Sequence, residues 1–163
     1  MRTRFKIVTT VLLFTFSGYA TAQSKTAAAL KKERSNLEKT SSPVQHTRIA
    51  IKVADLLITL TTEDAHAGND RAVEENMNEY ARTIEDARST MIKTGADAHK
   101  HPAGFKDLEI AMRKQQRRLA DIGKLVDFDK RSPIEKALKL ASDISDKILR
   151  LMLLREPNAP KKP

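Results

Sequence analysis

The segment GADAHKHPAGFKDLEIAMRKQQRRL, Gly95 to Leu119, holds the residues best suited to chemistry. Asp97, His99 and His101 alternate in it as D-x-H-x-H, and carboxylate and imidazole are ordinary ligands for a divalent transition metal. On a helix, residues two apart point about 200° away from each other and cannot grip one ion, whereas in an extended segment positions i, i+2 and i+4 share a side. Pro102 pushes His101 toward extended geometry. A metal site here therefore requires the preceding helix to end before Asp97; a helix that persists to His99 separates the ligands. The plainer alternative is a polar loop, and it is favoured because a four-coordinate site needs further ligands and outer hydrogen-bond partners that the sequence does not offer nearby. His46 is expected at the same end of the molecule as this loop, and His66 about 30 Å away by helical rise.

The same segment continues into Arg113, Lys114, Arg117 and Arg118, two i, i+4 pairs of cations. Residues 23–98 carry a net charge of −1 and residues 99–163 a net charge of +7, so the positive charge lies toward the C-terminal half. One reading is a patch for an anionic partner. The favoured reading places the acidic flank of the third helix (Glu74, Glu75, Glu79, Glu85, Asp86) beside these cations, as surface ion pairs worth about 0–1 kcal/mol each. Glu63 and His66 have the E-x-x-H spacing of di-iron helical proteins, but those use two copies plus two more glutamates, and the sequence has one. No G-x-S-x-G elbow, phosphate-cradling glycine loop or H-E-x-x-H motif occurs. With no cysteine, thiolate metal sites and C-x-x-C-H haem attachment are impossible. The expectation is a protein that is not an enzyme and carries no cofactor.

The elements that must position these residues are helices. Residues 25–39 are helix-prone, but Ala27, Leu30 and Leu37 make only a thin apolar stripe, which predicts a peripheral first helix. Ser42 and Pro43 supply an N-cap and a proline at the first helical position of a second helix reaching about His66, with Ile49, Val53, Leu56, Leu57 and Leu60 inward. Ala67-Gly68-Asn69-Asp70 is a short stop-and-start signal. The third helix spaces Val73, Met77, Tyr80, Ile84, Ala87 and Met91 at 4-3-4-3-4 and ends between Lys93 and Lys100. The fourth carries Phe105, Leu108, Met112, Gln115, Leu119 and Ile122 inward and stops at Gly123. Val126 and Phe128 are candidates to plug an end of the assembly. Ser132 to Glu135 reads as a capping box opening a fifth helix to about Arg155, with Ile134, Leu138, Ala141, Ile144, Ile148 and Leu151 inward. No strand-like alternation is found. The fold class expected is all-α: four main antiparallel helices, as a helical bundle or stacked helical hairpins, plus a peripheral N-terminal helix. The hairpin at AGND loosely resembles a tetratricopeptide unit, although no second copy of the repeat is evident.

The end of the fifth helix, Ile148 to Leu154, is apolar nearly all round, more than one buried face requires. Either the thin first helix covers it, the favoured outcome, or Leu149, Leu153 and Leu154 mark a contact surface.

Location follows from the first residues. Arg2, Arg4 and Lys6 precede an apolar run from Ile7 to about Phe16, and Ala20-Thr21-Ala22 follows, the layout of a signal peptide cut after Ala22. The run is far short of the roughly 20 residues that cross a membrane. The expected organisation is a signal peptide (1–22), one helical domain (23–155) and a disordered tail (156–163), in the periplasm or outside the cell. The mature chain keeps 27 Lys and Arg against 21 Asp and Glu, a net charge of +6, yet export argues against nucleic acid as a partner. The segment HPAGFKDLEIAMRKQQRRLADI, with the upstream AGNDRAVEENMNEY hairpin, resembles a group of uncharacterised bacterial exported helical proteins over about Pro43 to Leu154. That resemblance implies fold and export, and no activity. The function expected is a non-catalytic interaction or structural module of the cell envelope, binding a protein or an anionic envelope component, with homodimerisation open. The alternative is a periplasmic divalent-metal-binding protein using the D-x-H-x-H segment.

Overall fold

A computed structural model describes residues 17–153. The described chain is all-helical: α1 Ser17–Lys39, α2 Pro43–His66, α3 Asp70–Lys93, α4 Phe105–Ile122 and α5 Ser132–Leu153, with a 3₁₀ turn at Phe128–Lys130. Ile7 to Phe16 and the tail 156–163 lie outside the described residues, while Ala20 to Ala22 are helical within α1.

Each boundary has a local cause. Pro43 opens α2, where its missing N–H costs nothing, and the Ser42 side chain accepts a bond from Gln45 N at 3.5 Å. Gly68 (φ +68°) and Gly95 (φ +63°) take the left-handed conformation that ends α2 and α3. Asn69 caps α3 by accepting from Ala72 N. At α5 the first helical carbonyl belongs to Arg131, which accepts from Glu135 N at 3.0 Å, so the helix begins one residue earlier than a Ser132 cap implies.

The packing makes α2 central. It touches α1, α3 and α4, while α5 touches α3 and α4, and α1 lies along α2. That position explains why α2 buries Ala50, Ala54, Ile58 and Thr61 beyond the expected stripe, whereas Ile49 and Leu56 are only partly buried. The hydroxyl of buried Thr61 would cost stability if left unpaired, and it donates to the Leu57 carbonyl at 2.8 Å. The stripes expected of α3 and α4 are buried at every position. The core is mostly aliphatic, with Tyr80 and Phe105 as its buried aromatics among the described residues. A fully buried side chain such as Leu57 or Ile84 contributes about 1.5–3 kcal/mol by leaving water.

Two expectations are corrected at the connections. Val126 is buried, but Phe128 is 83% exposed and plugs nothing; its ring lies 5.9 Å below the Arg131 guanidinium instead. Leu151, expected inward on α5, is exposed, while Ile134, Ala137, Ala141, Ile144 and Ile148 form the buried face. Ala137 replaces half-buried Leu138 on that face.

Candidate functional site

The third helix ends early, at Lys93, which meets the first condition for a metal site in the following loop. The loop itself does not meet the second. From Asp97 onward the chain turns instead of extending: the Asp97 carbonyl accepts from Lys100 N at 3.1 Å and from His101 N at 2.8 Å. The Asp97 side chain folds back over this turn, its Oδ1 accepting from His99 N at 2.9 Å and Lys100 N at 3.4 Å. These backbone donors, His99 first, hold the Asp97 carboxyl below its ordinary pKa. His99 faces elsewhere, with Nδ1 3.1 Å from the carbonyl oxygen of Met152 near the end of α5. Asp97, His99 and His101 are therefore not gathered around one point, and no group of three or more His, Cys, Asp or Glu among the described residues is placed to hold a metal ion. The geometry of the segment is that of a loop tie, with His99 fastening the α3–α4 connection to α5.

Gly104 explains how that connection closes. Its φ of +80° is strained for an L side chain, and a Cβ there would sit 2.7 Å from the Met91 sulfur. The chain thus crosses the last buried residue of α3 closely before α4 begins. Val44, in the first turn of α2, lies near the same point, so His46 shares this end of the molecule as expected. His46 Nε2 faces Asp86 at 3.2 Å, and His66 Nδ1 lies 2.7 Å from the Thr62 carbonyl.

The basic run on α4 splits. Arg113 forks onto Glu109, with Nε 2.6 Å from Oε1 and Nη2 2.7 Å from Oε2; Glu109 is 2% exposed and also accepts from the Ser145 hydroxyl of α5 at 3.3 Å. Arg118 turns toward α2, donating to Asp55 Oδ1 at 3.3 Å and to the Thr59 hydroxyl at 2.9 Å. Lys114 and Arg117 are exposed and have no ion-pair partner among the described residues. The expected pairing of α4 cations with α3 acids is corrected: the two tethered arginines find their carboxylates on α4 itself and on α2. The α3 acids go mainly to other partners: Glu79 to Arg34 of α1, Glu85 to Arg88 and Glu75 to Arg71 of α3 itself, and Asp86 to His46. The physical reason is placement, since α3 and α4 barely touch and α2 and α5 lie between them.

A chain of polar groups that sequence reasoning missed runs through the interior. The Tyr80 hydroxyl donates to Gln115 Oε1 at 3.0 Å, and Gln115 Nε2 donates to Asp55 Oδ1 at 3.1 Å, where Arg118 also ends. Tyr80 and Gln115 are fully buried. Burial, then the nearby Asp55 charge, pushes the Tyr80 hydroxyl far above its ordinary pKa. The available signal was Gln115, an amide at an inward position of an apolar stripe, which must find partners when buried.

The α5 end is also corrected. The first helix packs on α2, so it does not cover these residues. Leu149 is 39%, Leu151 41% and Leu153 70% exposed, and Leu154 lies outside the described residues. No protein-family model matches the chain, and no curated protein or solved structure matches it.

Proposed function

We propose that the chain is an exported, non-catalytic protein of the cell envelope that works by contact, its four main helices forming an antiparallel bundle with α1 along one side. The observation that carries this reading is the uncovered run of leucines at the end of α5: an aliphatic surface that the fold itself leaves in water stabilises a complex when a partner removes it from water. The partner is a protein, with a second copy of this chain among the candidates.

Site-specific photo-cross-linking tests it. A photoreactive residue placed at Leu149 or Leu153 in cells making the full chain is expected to give a discrete adduct of higher mass in the envelope fraction, and one at exposed Asn78 of α3 is expected to give none. Absence of an adduct at both leucine positions sinks the reading.

A further inference from the structure

We propose that the outer face of α4 lies against an anionic phospholipid surface, an inference that rests on the reading of the protein as an envelope contact module. Lys106, Ile110, Lys114 and Arg117 recur at 4-4-3 spacing, so they share the side of the helix turned away from the core. The stripe is about 16 Å long by helical rise. Lys106, Lys114 and Arg117 are exposed without a carboxylate at ion-pair distance among the described residues, in contrast to Arg113 and Arg118.

Ile110 points to the chemistry of the partner. It is 48% exposed and is the aliphatic side chain at the centre of these cations. A surface of lipid phosphates accepts both at once: the ammonium and guanidinium heads stay among the headgroups while their stems and the isoleucine enter the acyl boundary. A convex helix edge also suits a flat partner with mobile charges better than one requiring a shaped groove. The contact is peripheral, because no helix among the described residues is long and apolar enough to cross a membrane.

The test is sedimentation of the full chain with vesicles of phosphatidylcholine alone or mixed with phosphatidylglycerol, each variant retaining Ile7–Phe16 so that this apolar run contributes equally. Binding is expected to require phosphatidylglycerol and to weaken with salt. Removing one interfacial cation weakens such binding about fivefold, so Lys114→Gln with Arg117→Gln should lower affinity roughly 30-fold. Ile110→Ser should lower it roughly threefold to tenfold. Glu74→Gln, at an exposed position of α3, should change nothing. Equal binding by wild type and the double variant overturns the proposal. So does binding to soluble polyphosphate as tight as to the vesicles, with Ile110→Ser silent. If wild type ignores both vesicle types while the Leu153 cross-link persists, the lipid surface is rejected and the contact-module reading stands; phosphatidylglycerol-dependent binding that the double variant loses, without the cross-link, supports the lipid surface and rejects the protein-partner reading.

Discussion

Four cations fall within six residues of α4 and meet opposite fates. Arg113 and Arg118 bend back and end on carboxylates, one of them nearly buried; Lys114 and Arg117 stay in water. The helical period decides which is which. Arg118 lies on the flank facing α2, and Arg113 can reach Glu109, one turn earlier on the α5 side, whereas Lys114 and Arg117 fall between those flanks. The lesson is that a basic run is not one feature: its inner members belong to the architecture, and only its outer members are free to meet a partner.

Removing an inner cation should have the largest effect. Arg113→Met takes the fork away from Glu109 and leaves a carboxylate at 2% exposure with the Ser145 hydroxyl as its remaining partner among the described residues. Taking one partner from a buried pair costs about 3–5 kcal/mol; since the Arg113 side chain is itself 64% exposed, water offsets part of that, and a loss of about 2–3 kcal/mol is expected in urea unfolding. Adding Glu109→Gln to Arg113→Met should restore most of the loss, because the uncompensated charge is gone while the amide can still meet Ser145. No loss in the single variant would mean that Arg113 belongs with the outer cations.

The interior chain that ends at Arg118 gives a smaller effect with a pH signature. Tyr80→Phe deletes a buried donor and leaves Gln115 Oε1 without it, an expected cost of about 1–2 kcal/mol. Because burial and Asp55 raise the folded-state pKa of Tyr80 above its ordinary value of 10.0, its contribution is fully present below that value and is lost as pH rises from there toward the folded pKa. Thermal midpoints of wild type should therefore fall more steeply than those of Tyr80→Phe as pH rises above about 10. Parallel curves would show that Tyr80 ionises as freely folded as unfolded.

What the sequence disclosed and what it hid follow from the range of the forces involved. The stripes of α3 and α4 were legible because burial along one helix depends on spacing within that helix, and a single period places Val73 to Met91 and Phe105 to Ile122. The stops at Gly68 and Gly123 were legible for the same local reason. Partner choice was not. Nothing in the spacing of Arg118 announces Asp55, which lies 63 residues away, nor does α1 announce that it will pack on α2 and not on the end of α5. At the D-x-H-x-H segment the favoured polar loop is what forms: α3 ends within the expected range, and Asp97 bonding to backbone N–H groups makes a turn where the metal alternative required an extended segment.

The smallest effect is expected at the outer pair. Lys114→Ala with Arg117→Ala removes two charges that touch no carboxylate among the described residues, in an interior turn of a helix where alanine is the better former. Two opposing contributions are expected, a slight gain from helix propensity and relief of repulsion among neighbouring cations against a slight loss of stem packing, so stability should stay within about 0.5 kcal/mol of wild type in urea unfolding. A loss approaching that of Arg113→Met would place the outer pair in the architecture and remove the reason for reading this face as a contact surface. A variant that is silent in unfolding yet impaired on anionic vesicles separates the two roles on a single helix, since no change in folding could then account for the lost binding.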